Sequence, residues 1–146
     1  MARNHRDFTL AAGLLITATA LMPEMSIAQQ VIVNRSLAIS QLDVPTLRAA
    51  FGMRLLEWPD GTRVVPFVMD SNSTVHARFA KQVIQVFPYQ LQQAWDRLVF
   101  SGTGQAPRVV SSPADMRRRV AQTPGGIGYV PDDYIDESVS TIEVVE

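Results

Sequence analysis

One stretch constrains what this chain can fold into more than any other: residues 63–79, RVVPFVMDSNSTVHARF. Its first half is rich in Val and Phe and carries no helical spacing, so residues 63–69 read as a buried strand. Asp70, Ser71, Asn72, Ser73 and Thr74 follow, small polar residues of the kind that cap helix N-termini. Val75, Phe79, Val83 and Val86 then recur near helical spacing, which predicts a helix over 75–86. A strand that feeds a helix through a polar turn gathers free backbone N–H groups and the positive end of a helix dipole. Such a place attracts an anion. The same residues serve equally as an ordinary helix cap.

The rest of the chain repeats this alternation. QVIVN at 30–34 is a short apolar strand, and 35–42 is a connector. Asp43 caps a helix with Pro45 in its first turn, Leu47, Ala50 and Phe51 on its apolar face, and Gly52 as its stop. Trp58-Pro59-Asp60-Gly61 is a turn. Pro88 starts a helix in which Leu91, Ala94, Trp95 and Leu98 recur at i, i+3, i+4 and i+7. A flexible loop at 101–105 leads to a short strand at 108–111. Ser112-Pro113-Ala114-Asp115 then opens a helix that runs to Gln122. Strands follow at 127–130 and 140–145, separated by an acidic turn or short helix at 132–137. Strands separated by helices predict an α/β fold, a three-layer sandwich with a mainly parallel sheet. Ligands of such sheets bind beyond the carboxyl ends of strands, and the turn at 70–74 falls at such a point.

The N-terminus stands apart from this pattern. Arg3 and Arg6 precede an apolar run, LAAGLLITATAL, at 10–21, and Ser26-Ile27-Ala28 places small residues where a signal peptidase cuts. Residues 1–28 are therefore expected to be a signal peptide cleaved after Ala28, with one domain over 29–146 in the periplasm or outside the cell. The run falls short of the roughly 20 residues that a bilayer span needs. No membrane span is expected after cleavage, with an uncleaved anchor as the second reading. The chain has no cysteine, so neither a lipid anchor nor a disulfide is available and the apolar core must carry stability alone. The net charge is −1, from 13 basic and 14 acidic residues. Apart from Arg117-Arg118-Arg119 the basic residues form no stripe, and a nucleic-acid partner is not expected. Those three occupy successive helix positions about 100° apart and cannot face one ligand.

Few residues offer catalytic chemistry. His76 is the only histidine beyond the leader, and it lies three positions from Ser73. That spacing puts both on one helix face, but no third group orients the pair and no G-x-S-x-G elbow exists. Zinc wants cysteines or several histidines. Asp132, Asp133, Asp136 and Glu137 lack the ligand order of a calcium loop and read as an exposed acidic turn. The glycines of 102–104 and 125–128 lack the dinucleotide spacing. Ser101, Thr103 and Gln105 bring two hydroxyls and an amide to a loop that can reach a cleft.

Several pieces together resemble a known family. They are Leu47-Arg48-Ala49-Ala50-Phe51-Gly52, Trp58-Pro59-Asp60-Gly61, Val64-Val65-Pro66, the polar turn, residues 98–107 and Thr123-Pro124-Gly125-Gly126-Ile127-Gly128-Tyr129-Val130. In this order they look like the small single-lobe members of the phosphate ABC transporter substrate-binding protein family, a branch of the type 2 periplasmic binding fold. The resemblance spans residues 30–145. It implies that the family's Arg-x-Asp-Gly-Ser-Gly-Thr oxyanion turn falls on Asp70 and on Ser71, Asn72, Ser73 and Thr74. Val68 stands where that motif has its arginine, and Ser71 and Ser73 replace its glycines. Loss of the arginine removes a bidentate, charge-assisted contact to phosphate. A one-lobe protein also lacks the facing half of the usual cleft, so a second lobe, a second copy or a transporter component is the expected partner.

The expectation is a periplasmic or secreted binding module without enzymatic activity, cofactor or metal. Its ligand would be phosphate or another small oxyanion, held by Asp70, Ser71, Asn72, Ser73 and Thr74, with Ser101, Thr103 and Gln105 on the rim. The alternative is an envelope protein-interaction module on the same fold, with a vestigial ligand site.

Overall fold

The structure is a computed structural model that describes residues 27–146. The leader features, Arg3, Arg6 and the apolar run, lie outside the described residues. No described helix is long and apolar enough to cross a membrane.

Six strands form one sheet: β1 (Gln29–Asn34), β2 (Gln41–Asp43), β3 (Val65–Met69), β4 (Arg108–Val110), β5 (Gly126–Pro131) and β6 (Val139–Val145). Their order across the sheet is β2-β6-β1-β5-β3-β4. β1 runs antiparallel to both its neighbours, and the remaining pairings are parallel. Five strands therefore share one direction, and the sheet is mainly parallel, as the alternation of strands and helices implies.

The helices are α1 (Val44–Phe51), α2 (Thr74–Arg78), α3 (Pro88–Phe100) and α4 (Pro113–Gln122). Two neighbours on β5 define the layers. Gly128 lies under α4, where a Cβ would stand 2.4 Å from Met116 Sδ and 3.0 Å from a Val120 methyl. Without a side chain at 128, Met116 and Val120 of α4 pack directly on the β5 backbone. Tyr129, the next residue, points to the other face. There its ring stacks on Phe79 at 3.8 Å and tilts against Phe51 at 5.9 Å. α4 thus covers one face, and α1, α2 and α3 cover the other, giving the three layers. On the α4 side, Asn34 closes the packing by donating from Nδ2 to the carbonyls of Val120 and Ala121, both at 3.0 Å.

Local chemistry explains the helix ends. Asp43 Oδ1 accepts the Thr46 N–H at 2.7 Å, and Pro45 sits in the first turn of α1. Ser112 caps α4, its Oγ accepting the Asp115 N–H at 3.1 Å. α3 starts at Pro88, with the Gln90 side chain accepting the Phe87 N–H at 2.8 Å.

The structure differs from the sequence expectation in three places. The connector at 35–42 ends in β2, a three-residue strand whose single half-buried apolar residue, Leu42, is too short a signal to read as a strand. The strand expected from Arg63 starts at Val65, because Arg63 instead bridges Glu57 across the Trp58–Gly61 turn. The helix expected over 75–86 is α2 followed by a π-helical turn, Phe79–Val83. The wider turn shifts the inward face, so His76, Phe79, Ala80 and Ile84 are fully buried while Val75, Val83 and Val86 are only partly so. Its closure is the Ile84 N–H to Phe79 carbonyl bond at 3.3 Å, five residues apart.

Candidate functional site

β3 ends at Met69, and the chain leaves the sheet through the polar turn. Asp70 organises that turn from both ends. Its Oδ1 accepts the Asn72 N–H, and its carbonyl accepts the Ser73 N–H, each at 2.8 Å. Ser73 is the helix cap, in extended conformation (φ −68°, ψ 134°), with Oγ accepting the His76 N–H at 3.4 Å. Asp70, Ser71, Asn72 and Thr74 are exposed and Ser73 is half-buried. Among the described residues, the N–H groups of Ser71, Thr74 and Val75 donate to no protein acceptor. They are the free donors of the turn.

β4 pairs with β3 in parallel, with Met69 opposite Val110. Asp70 and Ser111 therefore leave the same edge of the sheet side by side, and α2 and α4 both begin there. At α4 the chain supplies its own anion. Asp115 accepts the Ser111 N–H at 3.4 Å and pairs with Arg118 and, at 3.8 Å, with Arg119. The Arg118 hydrogen bond holds the Asp115 carboxyl below the usual range. Ser111 and Ser112 are neighbours of the polar turn that the sequence does not place beside it. Their signal was a second apolar strand ending in small hydroxyl residues, and only the β3–β4 pairing brings the two together.

Beneath the turn lies a sealed polar pair. His76 is fully buried, and its Nδ1 lies 2.6 Å from Tyr129 Oη. The same phenol oxygen accepts the Met69 N–H at 2.9 Å. A Tyr129 hydroxyl that donates to Nδ1 leaves the imidazole neutral with its proton on Nε2, which has no partner among the described residues. Burial lowers the proton affinity of His76, and the negative charge of Asp70 opposes the shift. Burial also raises the Tyr129 phenol far above its ordinary value. Ser73 and His76 do not form a nucleophile and base. Ser73 Oγ meets the backbone of His76 and, at 3.8 Å, Met69 Sδ, while the imidazole turns to Tyr129.

The remaining expected site residues lie elsewhere. Ser101 and Thr103 bond to each other at 2.7 Å and line a groove with Gly52 and Arg54, in the chain that follows α1. Gln105 lines a second groove with Val64, Val65 and Pro66, where β3 begins. The polar turn is at the opposite end of β3. The structure gathers Asp70, Ser71, Asn72, Ser73 and Thr74 and does not bring Ser101, Thr103 or Gln105 to them. Val68, at the motif's arginine position, is a core side chain 1% exposed.

The arginine triplet is partnered within the chain, Arg117 by Asp136 of the acidic turn and Arg118 and Arg119 by Asp115. Arg117 donates to the Tyr134 carbonyl at 2.8 Å and pairs with Asp136 at 3.3 Å. Among the described residues no three acidic, His or Cys side chains converge as a metal site.

No protein-family model and no curated protein matches the sequence. Solved structures do match its fold. An ABC-type phosphate transport receptor from Vibrio cholerae is similar over 80% of this chain and 45% of its own, with TM-score 0.61 and 15% identity. A putative phosphate ABC transporter substrate-binding protein with bound phosphate from Clostridium perfringens matches over 81% and 46%, with TM-score 0.64 and 15% identity. PstS from Borrelia burgdorferi matches over 80% and 47%, with TM-score 0.58 and 14% identity. The chain spans a little under half the length of each. The resemblance read from the motifs thus holds as a likeness of fold to one part of phosphate ABC transporter substrate-binding proteins.

Proposed function

We propose that the chain is a non-enzymatic binding module, exported by its leader, that receives a small oxyanion of the phosphate class at the turn of Ser71, Asn72, Ser73 and Thr74. One observation carries the reading. The N–H groups of Ser71, Thr74 and Val75 stand without acceptors where β3 ends and a helix begins. Free amides at a helix start favour negative charge, and the hydroxyls of Ser71 and Thr74 add donors. The Asp70 carboxylate accepts a hydrogen bond from the hydroxyl of a protonated oxyanion, which favours the acid form of a ligand over a fully ionised one. The turn has no arginine and stands open to solvent, so binding is weak unless a second lobe, a second copy or a transporter component covers it. Thermal-shift titration with phosphate and sulfate, against chloride at matched ionic strength, tests the reading. A weak binder still raises the melting temperature at tens of millimolar, and a flat response to both anions would sink the proposal.

An envelope protein-interaction module is the second reading. A different observation favours it: Phe87 and Tyr89 stack at 5.8 Å, are 55% and 60% exposed, and share the α3 segment with Phe100, 87% exposed.

A further inference from the structure

We propose that the groove between α1 and α3 is a separate binding site for a phosphate monoester that carries an apolar group. Arg48, Arg54 and Arg97 all line this groove of about 440 Å³, and no carboxylate lines it. Among the described residues none of the three forms an ion pair. In a chain of net charge −1 that is a local excess of positive charge without a partner.

The arginines are placed rather than scattered. Arg48 lies in the last turn of α1 and Arg97 in the last turn of α3, where a cation complements the helix dipole. Arg48 is half-buried. Its Nε donates to the Ile84 carbonyl at 2.7 Å, and Nη2 reaches Gln85 Oε1 at 3.5 Å. These bonds hold one edge of the guanidinium and leave its other N–H groups to the groove. Arg54 and Arg97 are exposed and make no side-chain hydrogen bond among the described residues. Thr103 adds a hydroxyl at the rim.

The floor decides the class of ligand. Leu91, Leu98 and Ala94 line the same groove, so it joins an apolar surface to three arginines. Its volume lies in the ordinary range for small-molecule sites, roughly 300–1,000 Å³. Planar guanidinium forks match the oxygens of phosphate in bidentate fashion. A dianionic phosphate monoester suits several arginines better than a single carboxylate does, and its organic group has Leu91 and Leu98 to cover. Inorganic phosphate leaves that floor unused. The site shares no residue with the turn at 70–74.

Isothermal titration of the purified protein tests this, with phenyl phosphate as the probe and inorganic phosphate and benzyl alcohol as the other arms. Phenyl phosphate is expected to bind about tenfold more tightly than inorganic phosphate, with benzyl alcohol inert. The double variant Arg54→Gln/Arg97→Gln should weaken phenyl phosphate by about tenfold or more. Thr74→Pro, in the polar turn, should leave the phenyl phosphate response of the Leu91 and Leu98 methyls unchanged, which separates this site from the oxyanion reading. In the unaltered protein, phenyl phosphate should move the NMR signals of the Leu91 and Leu98 methyls, a readout that does not depend on the variant folding. Binding no tighter than inorganic phosphate, equal binding of benzyl alcohol, an unchanged double variant, loss of the methyl response in Thr74→Pro or unmoved methyls would each overturn the proposal.

Discussion

The indole Nε1 of Trp58 donates to the carbonyl of Gly125 at 2.9 Å, inside the protein. The same carbonyl accepts the Val65 N–H at 3.1 Å. One oxygen thus ties the turn at Trp58 to the start of β3 and to the end of α4. Gly125 has φ +77°, and a Cβ there would stand 1.9 Å from the Arg63 carbonyl. Backbone cannot yield as a flexible side chain does. Gly125→Ala should therefore destabilise the protein by about 4 kcal/mol or more in urea unfolding, in the range reserved for severe defects. Trp58→Phe, which removes one hydrogen bond to a carbonyl still held by Val65, should cost about 1–2 kcal/mol. An alanine at 125 without effect would contradict this packing.

Tyr129→Phe isolates the buried polar pair. The variant keeps the ring stacked on Phe79 but removes the acceptor for the Met69 N–H and the partner of His76 Nδ1. Orphaning a buried donor costs about 1–3 kcal/mol, and the melting temperature should fall by several degrees. An unchanged melt would mean that the pair contributes nothing to stability.

Stability should also depend on pH through His76. Its folded proton affinity is depressed, chiefly by burial, with Asp70 acting in the opposite sense. The unfolded chain takes up the proton near pH 6.5 and the folded chain resists it. This contribution is fully present above about pH 6.5 and is lost as pH falls below that value toward the folded pKa. The carboxyls of Asp43, Asp60, Asp115 and Asp136 are also depressed. Their contributions are lost only below about pH 4. Chemical denaturation should thus show lower stability at pH 5 than at pH 7.5, and His76→Gln should flatten that slope. A slope that survives the substitution would assign it to another group.

Ser73→Ala and Asn72→Ala should separate cap from turn. Ser73 Oγ caps α2, so its loss should cost about 1 kcal/mol. The Asn72 side chain is exposed, and Asn72→Ala should leave unfolding unchanged within about 0.5 kcal/mol. Both should reduce the anion response. If neither does, the anion is held elsewhere.

Much of the fold was legible because punctuation and packing agree. Asp43, Pro45, Pro88, Ser112 and Pro113 mark helix starts that the structure keeps, since caps act within one turn of chain. The two motifs on which the sequence resemblance rests, at Trp58 and at Gly125, touch each other. β2 was illegible because three residues are too few for their alternation to stand out. The π turn was illegible because its extra residue shifts the inward face without leaving a breaker in the sequence. For the site, adjacency along the chain fixed the turn at 70–74, whereas Ser111 joins its edge through strand pairing that no local pattern encodes. Ser101, Thr103 and Gln105 had the right chemistry, but Ser101 and Thr103 line the groove between α1 and α3 and Gln105 stands where β3 begins.

The central claim is that backbone amides at the start of α2 receive an oxyanion, and Thr74→Pro tests it most directly. Thr74 is the first residue of α2, where proline is well tolerated, and Ser73 already has the extended ψ of 134° that a following proline requires. The substitution deletes one free N–H and the Thr74 hydroxyl while keeping the helix. Thermal shift of both proteins against phosphate at fixed ionic strength is the measurement. The account predicts that about 50 mM phosphate raises the melting temperature of the unaltered protein measurably, as mass action requires for a millimolar site. It predicts that Thr74→Pro melts at the same temperature or higher without ligand and shows a smaller rise with phosphate. No rise in the unaltered protein, or an equal rise in both, would contradict it.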